Sequence, residues 1–189
     1  MMTSIDPRLF RDVLGRFATG VTVVTVRAPH HHPLERSADT NVADAGGPTR
    51  RDEAPLAPVH GITVNAFMSV SLEPALVAVG IDRNAKAHDA LLTADRFGIS
   101  VLGQDQRSLS DQFAGRPVPQ QPDPFVMLDG FPVVAGALAQ LVCRRWRAME
   151  AGDHTIFVGE VEALRHDVGD PLLFFGGRYR ALWSPEAAG

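Results

Sequence analysis

Hydrophobic and polar positions change period several times along this chain. Behind Asp6 and Pro7, an N-cap and first helical position, Leu9, Phe10, Val13, Leu14 and Phe17 recur at helical spacing until Gly20. This predicts an amphipathic first helix. The short, β-branched run VTVVTV at 21–26 predicts a strand. Residues 61–74, GITVNAFMSVSLEP, then alternate without a break. Ile62, Val64, Ala66, Met68, Val70 and Leu72 fall on one face, and Thr63, Asn65, Phe67, Ser69 and Ser71 on the other. The second face is polar but uncharged. A line of short hydrogen-bonding groups suits a surface that touches something other than bulk water.

Further along, ALVAVGID at 75–82 reads as a buried strand. NAKAHDALLTADR at 84–96 has Ala87, Ala90, Leu91 and Ala94 at helical spacing, and FGISVL at 97–102 returns to strand character. DQRSLSDQFAG at 105–115 places Leu109 and Phe113 one turn apart and ends in Gly115, as a short helix does. The last third predicts strands at about 134–149, 154–166 and 172–182. The first two flank AGDH as a long hairpin. Strands are the majority element, beside about three helices, and no repeated strand–helix unit with a Gly-rich phosphate turn occurs. The pattern predicts a mainly β fold, an antiparallel barrel with peripheral helices, rather than a doubly wound sheet.

Residues 27–58 interrupt this order with five prolines and little hydrophobic periodicity, which predicts a long mobile loop inserted into one domain spanning 1–189. RPVPQQPDPF is a shorter Pro-rich connection. The consecutive histidines 30–32 read as part of the solvated loop rather than as metal ligands, because consecutive ligands there lack an outer shell and a partner motif.

Composition narrows the function. A hydrophobic content of 45% in 189 residues supports a substantial core, and a net charge of −4 lacks the basic footprint of nucleic-acid binding. Cys143 is the only cysteine, so internal disulfides and paired-thiolate zinc sites are excluded and a reducing cytosol fits best. The first residues carry charges every few positions, and no apolar run approaches about 18 residues, so a soluble, cytoplasmic protein without membrane insertion is expected. No G-x-S-x-G elbow, P-loop, H-E-x-x-H or G-x-G-x-x-G turn occurs, and no metal site is predicted.

Five blocks, in order, carry a resemblance: FRDVLGRFATGVTVVTV, GITVNAFMSVSLEPALVAVGID, RFGISVLGQDQRSLSDQFAG, GDHTIFVGEVEAL and PLLFFGGRYRAL. Together they resemble the flavin reductase family, the small reductase components of two-component flavin-dependent monooxygenases. The match covers nearly the whole chain outside 27–58. The resemblance implies an FMN-binding split-barrel fold, NAD(P)H:flavin oxidoreductase activity with FMN or FAD and NADH or NADPH, a separate oxygenase partner and a homodimer.

It also implies a site. A flavin ring needs an apolar bed with hydrogen bonds along its pyrimidine edge. In similar proteins the 61–74 segment cradles ring and ribityl chain, which maps onto Thr63, Val64, Asn65 and Ala66 for the ring edge and Ser69, Val70 and Ser71 for chain and phosphate. Read without the resemblance, the same hydroxyls read first as cross-strand pairs. Arg83, Asn84 and Lys86 stand where a phosphate would meet a turn before a helix, although Asn84 also reads as a helix cap. The family tends to have Ser or Thr where this chain has Ala85 and Ala87. The resemblance assigns His154, in GDH, to nicotinamide positioning, with Asp153 fixing its imidazole; a polar turn is the alternative. Arg178 and Tyr179 lie in the C-terminal block that approaches the same site in relatives, and both also suit strand packing and a solvated charge. Phe113 covers the ring or, by its spacing with Leu109, belongs to the core. A non-catalytic flavin carrier or sensor on the same barrel is the rival to the enzyme.

Overall fold

The computed structural model describes residues 5–27, 58–119 and 122–182. Helix α1 (Pro7–Leu14) begins as expected, with the Asp6 carboxylate accepting from the N–H groups of Arg8 at 2.7 Å and Leu9 at 3.4 Å. Strands β1 (Thr19–Gly20), β2 (Thr22–Arg27), β3 (Val59–Val64), β4 (Phe67–Leu72) and β5 (Ala75–Asp82) follow. Helix α2 (His88–Thr93), strand β6 (Arg96–Val101), a 3₁₀ turn at Gln104–Gln106 and helix α3 (Arg107–Phe113) come next. The chain then forms β7 (Phe125–Leu128), β8 (Phe131–Val134), β9 (Ala139–Ala151), β10 (His154–His166), β11 (Leu173–Phe175) and β12 (Arg178–Arg180). The loop expected at 27–58 lies outside the described residues apart from Arg27, which ends β2, and Pro58.

Seven strands form one antiparallel sheet in the order β3-β2-β6-β9-β10-β5-β4. β2 is buried on both faces. Val24 and Val26 join the main core with Val79, Ile81, Phe97, Ile99 and Phe157, whereas Val21, just before the strand, and Val23 join a second cluster with Leu102, Val134 and Leu172. The threonines of β2 are satisfied internally: Thr22 donates to the Val64 carbonyl at 3.0 Å and Thr25 to the Pro132 carbonyl at 2.7 Å. A fully buried strand reads as a continuous apolar run punctuated by small polar groups, which is what VTVVTV shows.

The 61–74 alternation is not one strand. It divides at Asn65–Ala66 into β3 and β4, which are the two opposite edges of the seven-stranded sheet. The sheet is therefore a split barrel, its edges joined through two residues rather than through a ladder. Facing also flips across the break. Ile62 and Val64 pack against the main core, but in β4 Phe67 packs inward while Met68, Val70 and Leu72 are exposed. A shift of one residue moves a strand's whole side-chain set to the other face, and the alternation alone does not reveal where that shift occurs.

Four other boundaries differ from expectation, and the first is the strand expected over 172–182, which is the β11–β12 hairpin because Gly176 and Gly177, both at positive φ, turn the chain. The helix expected over 84–96 is only α2, because Asp82 Oδ1 accepts from both Asn84 N at 2.8 Å and Asn84 Nδ2 at 3.1 Å and holds a turn there. Asn84 therefore does not cap α2, whose N-cap is Ala87. The strand expected from 134 starts at Ala139, after a turn in which Gly136 has φ +67. The β7–β8 hairpin has no counterpart among the expected elements, although its Asp129–Gly130 turn, with φ +47 and +70, is a standard hairpin dipeptide.

Candidate functional site

Where β3 and β4 part, a cleft of about 800 Å³ opens, within the usual range for a small-molecule site. One wall is the break itself and the strand beside it: Asn65, Ala66, Phe67 and Met68 with Ala78, Val79 and Gly80 of β5. The facing wall comes from Arg11, Leu14, Gly15 and Phe17 at the end of α1, Thr19 of β1, and Phe174 and Gly177 around the β11–β12 turn. The two walls have different fastenings. Gly80 N–H donates to the Ala66 carbonyl at 2.9 Å, while Gly176 N–H donates to the Gly15 carbonyl at 2.9 Å and ties the turn to α1.

The lining suits flat, mostly apolar rings. A Cβ on Gly80 would stand 3.3 Å from Ala66 Cβ, so the floor is kept shallow by two small residues. Thr19 supplies a hydroxyl whose oxygen is buried and without a hydrogen-bond partner among the described residues. An apolar bed with a few hydrogen-bonding groups at its rim fits a flavin ring.

His154 begins β10 opposite Asp82, two residues before Ile156, which lines the cleft. Its Nδ1 lies 2.7 Å from Asp153 Oδ1. That hydrogen bond, then the charge of His154 and more weakly that of Arg11, hold the Asp153 carboxyl below its ordinary range. The Arg83 N–H donates to the Asp153 carbonyl at 3.0 Å, so the turn holding exposed Arg83, Asn84 and Lys86 is seated against the turn holding His154. Two segments far apart in sequence thus form one polar corner at the end of the cleft.

The remaining expected residues disperse. Asn65 and Ala66 line the cleft, but Thr63 points to α3, donating to the Ser110 carbonyl at 2.8 Å, and Val64 packs on the core. Ser69 and Val70 are exposed on β4, and the Ser71 hydroxyl accepts from Glu73 N–H at 3.2 Å. Ser69 pairs with Val77 near the start of β5, and the strand's end at Asp82, which the Arg83 turn follows, is already roughly 16 Å further on at strand rise. The two segments expected to share a phosphate are not brought together. Phe113 packs in the second core cluster, where a Cβ on Gly61 would come within 2.5 Å of its ring. Arg178 and Tyr179 line a smaller hollow beside the cleft.

The residues of the facing wall were not singled out from sequence. Phe17 shows why, since its helical spacing predicts core packing whereas it is 77% exposed beside the cleft. Among the described residues no cluster of His, Cys, Asp or Glu could hold a metal ion, and no helix is long and apolar enough to cross a membrane.

The flavin reductase like domain pattern matches residues 14–182, most of the chain and every wall of the cleft except Arg11. The chain belongs to the flavin reductase like domain family. Among relatives of this flavin reductase like domain, the NADH-dependent flavin reductase of a Rhodococcus species is 39% identical over 180 residues, covering 94% of this chain and 88% of the relative. The reductase component of 4-hydroxyphenylacetate 3-monooxygenase from Thermus thermophilus is 37% identical, with 94% and 97% covered. The NADH:FAD oxidoreductase SgcE6 of Streptomyces globisporus, solved with NAD and FAD fragments, superposes with a TM-score of 0.74 at 34% identity, covering 98% of this chain and 99% of that one.

Proposed function

We infer that the protein is an NADH-dependent flavin reductase that supplies reduced flavin to a separate oxygenase, its FMN or FAD lying in the cleft at Asn65–Ala66. The observation that carries this reading is the shallow apolar floor of Ala66 and Gly80 at the end of which stands the His154–Asp153 pair, in a chain of this family. NADH, rather than NADPH, follows from the relatives that share this chain's length. The lone, buried Cys143 fits a cytoplasmic protein.

The two nucleotides themselves supply the chemistry, a hydride passing from nicotinamide C4 to flavin N5. The chain's residues position them. Ala66 and Gly80 admit the flat flavin ring, and Asn65 offers its amide to the ring edge. Phe174 and the end of α1 form the other side, against which a second ring would be held beside the first, and such positioning removes much of the entropic barrier. His154, fixed by the Asp153 carboxylate, receives the nicotinamide; Arg83 and Lys86 stand beside it for a phosphate. No residue needs to gain or lose a proton for the hydride to move.

Steady-state oxidation of NADH and NADPH, each with FMN, FAD and riboflavin, tests the function: turnover with NADH is expected, and no turnover in any pairing would reject it. A non-catalytic carrier would bind flavin yet fail this assay.

The active unit is a homodimer. Helix α1 buries none of its residues, leaving Leu9, Phe10, Val13 and Leu14 exposed, and β4 adds Met68, Val70 and Leu72, which is 97% exposed. Apolar surface on this scale marks an interface, and a second copy of the chain covers it. Light scattering at micromolar concentration should give twice the chain mass of 20.4 kDa, and a monomer would contradict it.

A further inference from the structure

Beside the cleft lies a hollow of about 280 Å³ lined by Arg107, Arg116, Phe174, Gly177, Arg178 and Tyr179. It shares Phe174 and Gly177 with the facing wall of the cleft, so the two spaces meet across the β11–β12 turn. Gly176 and Gly177 hold φ values of +57 and +74 there, a conformation that places bare backbone at the junction.

The hollow is organised around Tyr179. Its ring packs edge-on against Phe174 at 5.7 Å, with the guanidinium carbons of Arg107 and Arg116 at 5.1 and 5.9 Å from its centre. The Tyr179 hydroxyl donates to Asp111 Oδ1 at 3.1 Å and stands 2.8 Å from the buried Ser110 hydroxyl. Asp111 also takes the ion pair of Arg116 at 2.6 Å and that of Arg107 at 3.8 Å. Two guanidinium groups therefore share one carboxylate, and Arg178 brings the hollow's lining to three, an excess of two positive charges over Asp111 in a chain whose net charge is −4. Arg178 has no carboxylate partner among the described residues. Planar forks held on an aromatic ring match phosphate oxygens better than they match a lone carboxylate.

Resting on the reductase reading, we propose that this hollow holds the pyrophosphate of the nicotinamide dinucleotide. The flavin ring lies along the Asn65–Ala66 and Gly80 wall, so the second ring enters against Phe174 and α1. Its phosphates then pass over the glycine turn into the arginine hollow. The Arg83–Lys86 corner, at the end of the cleft, remains for the flavin phosphate.

The test compares the unsubstituted protein with Arg107→Gln and Arg178→Gln, both at exposed side chains, with circular dichroism checking that each variant is folded. Riboflavin, which has no phosphate, is the acceptor, and the donors are NADH and N-benzyl-dihydronicotinamide, which has none either. Each substitution should raise the KM for NADH about tenfold, the loss expected of one charged hydrogen bond, with kcat retained and the benzyl donor unaffected. Calorimetric titration with ADP-ribose, which carries the pyrophosphate without nicotinamide, should show the same tenfold weakening. An unchanged KM for NADH and an unchanged ADP-ribose affinity would overturn the proposal. Equal loss with both donors would overturn it by placing the arginines against the ring, and so would a loss seen only when FMN or FAD replaces riboflavin, which would assign the hollow to the flavin phosphate. Failure of the unsubstituted protein with both donors would remove the reductase reading and the proposal with it.

Discussion

β3 and β4 arise from one uninterrupted alternation, yet they belong to different parts of the molecule. β3 is held: Ile62 and Val64 pack on the core, Thr63 bonds to α3, and Gly61 lies against the Phe113 ring. β4 is laid open, with Met68, Val70 and Leu72 facing outward and only Phe67 packed against the core. Apolar residues of equal size thus do different work on the two sides of Asn65–Ala66. On β3 they stabilise the fold; on β4, with α1, they stay exposed, as the surface proposed to meet a ligand and a second copy.

The comparison can be broken most severely at Gly61. Gly61→Val should force Phe113 aside and lower stability by about 1–3 kcal/mol, read as a drop in the urea midpoint. An unchanged midpoint would mean that β3 is as loosely held as β4. On the other strand, Met68→Glu should separate the dimer in light scattering while leaving the far-ultraviolet circular dichroism of each chain unchanged. If that substitution unfolds the chain instead, β4 is core and the contrast fails. The smallest effect is expected outside both strands: His154→Ala should raise the KM for NADH several-fold with flavin affinity retained, and an unmoved KM would return His154 to an ordinary turn.

Much of the barrel was legible in the sequence because its strands carry local signals. VTVVTV, ALVAVGID and the AGDH hairpin needed only composition and period, and Asp6–Pro7 announced α1. What period two does not encode is where a strand stops and its successor joins another edge. The β3–β4 break falls between two residues, Asn65 and Ala66, that keep the alternation intact, so it left no trace in the pattern. The site was legible in part for the same reason. Asn65, Ala66 and His154 sit at or beside the cleft, whereas Ser69 and Ser71, which the resemblance assigns to the flavin chain and phosphate, lie along β4 outside its lining. The facing wall was hidden because Phe17 and Leu14 carry a spacing that ordinarily means burial, and only the packing of α1 distinguishes a cleft wall from a core.

If the break between β3 and β4 makes the flavin cleft, Ala66 is the residue where filling it must cost flavin binding. Ala66 is exposed and sits at the junction, so Ala66→Trp would fill the cleft floor against Gly80 without crowding the core. Titration by quenching of flavin fluorescence should then show FMN binding weakened at least tenfold, about 1.4 kcal/mol, with the thermal unfolding midpoint preserved. Unchanged FMN affinity in a folded Ala66→Trp protein would contradict the account and move the flavin elsewhere.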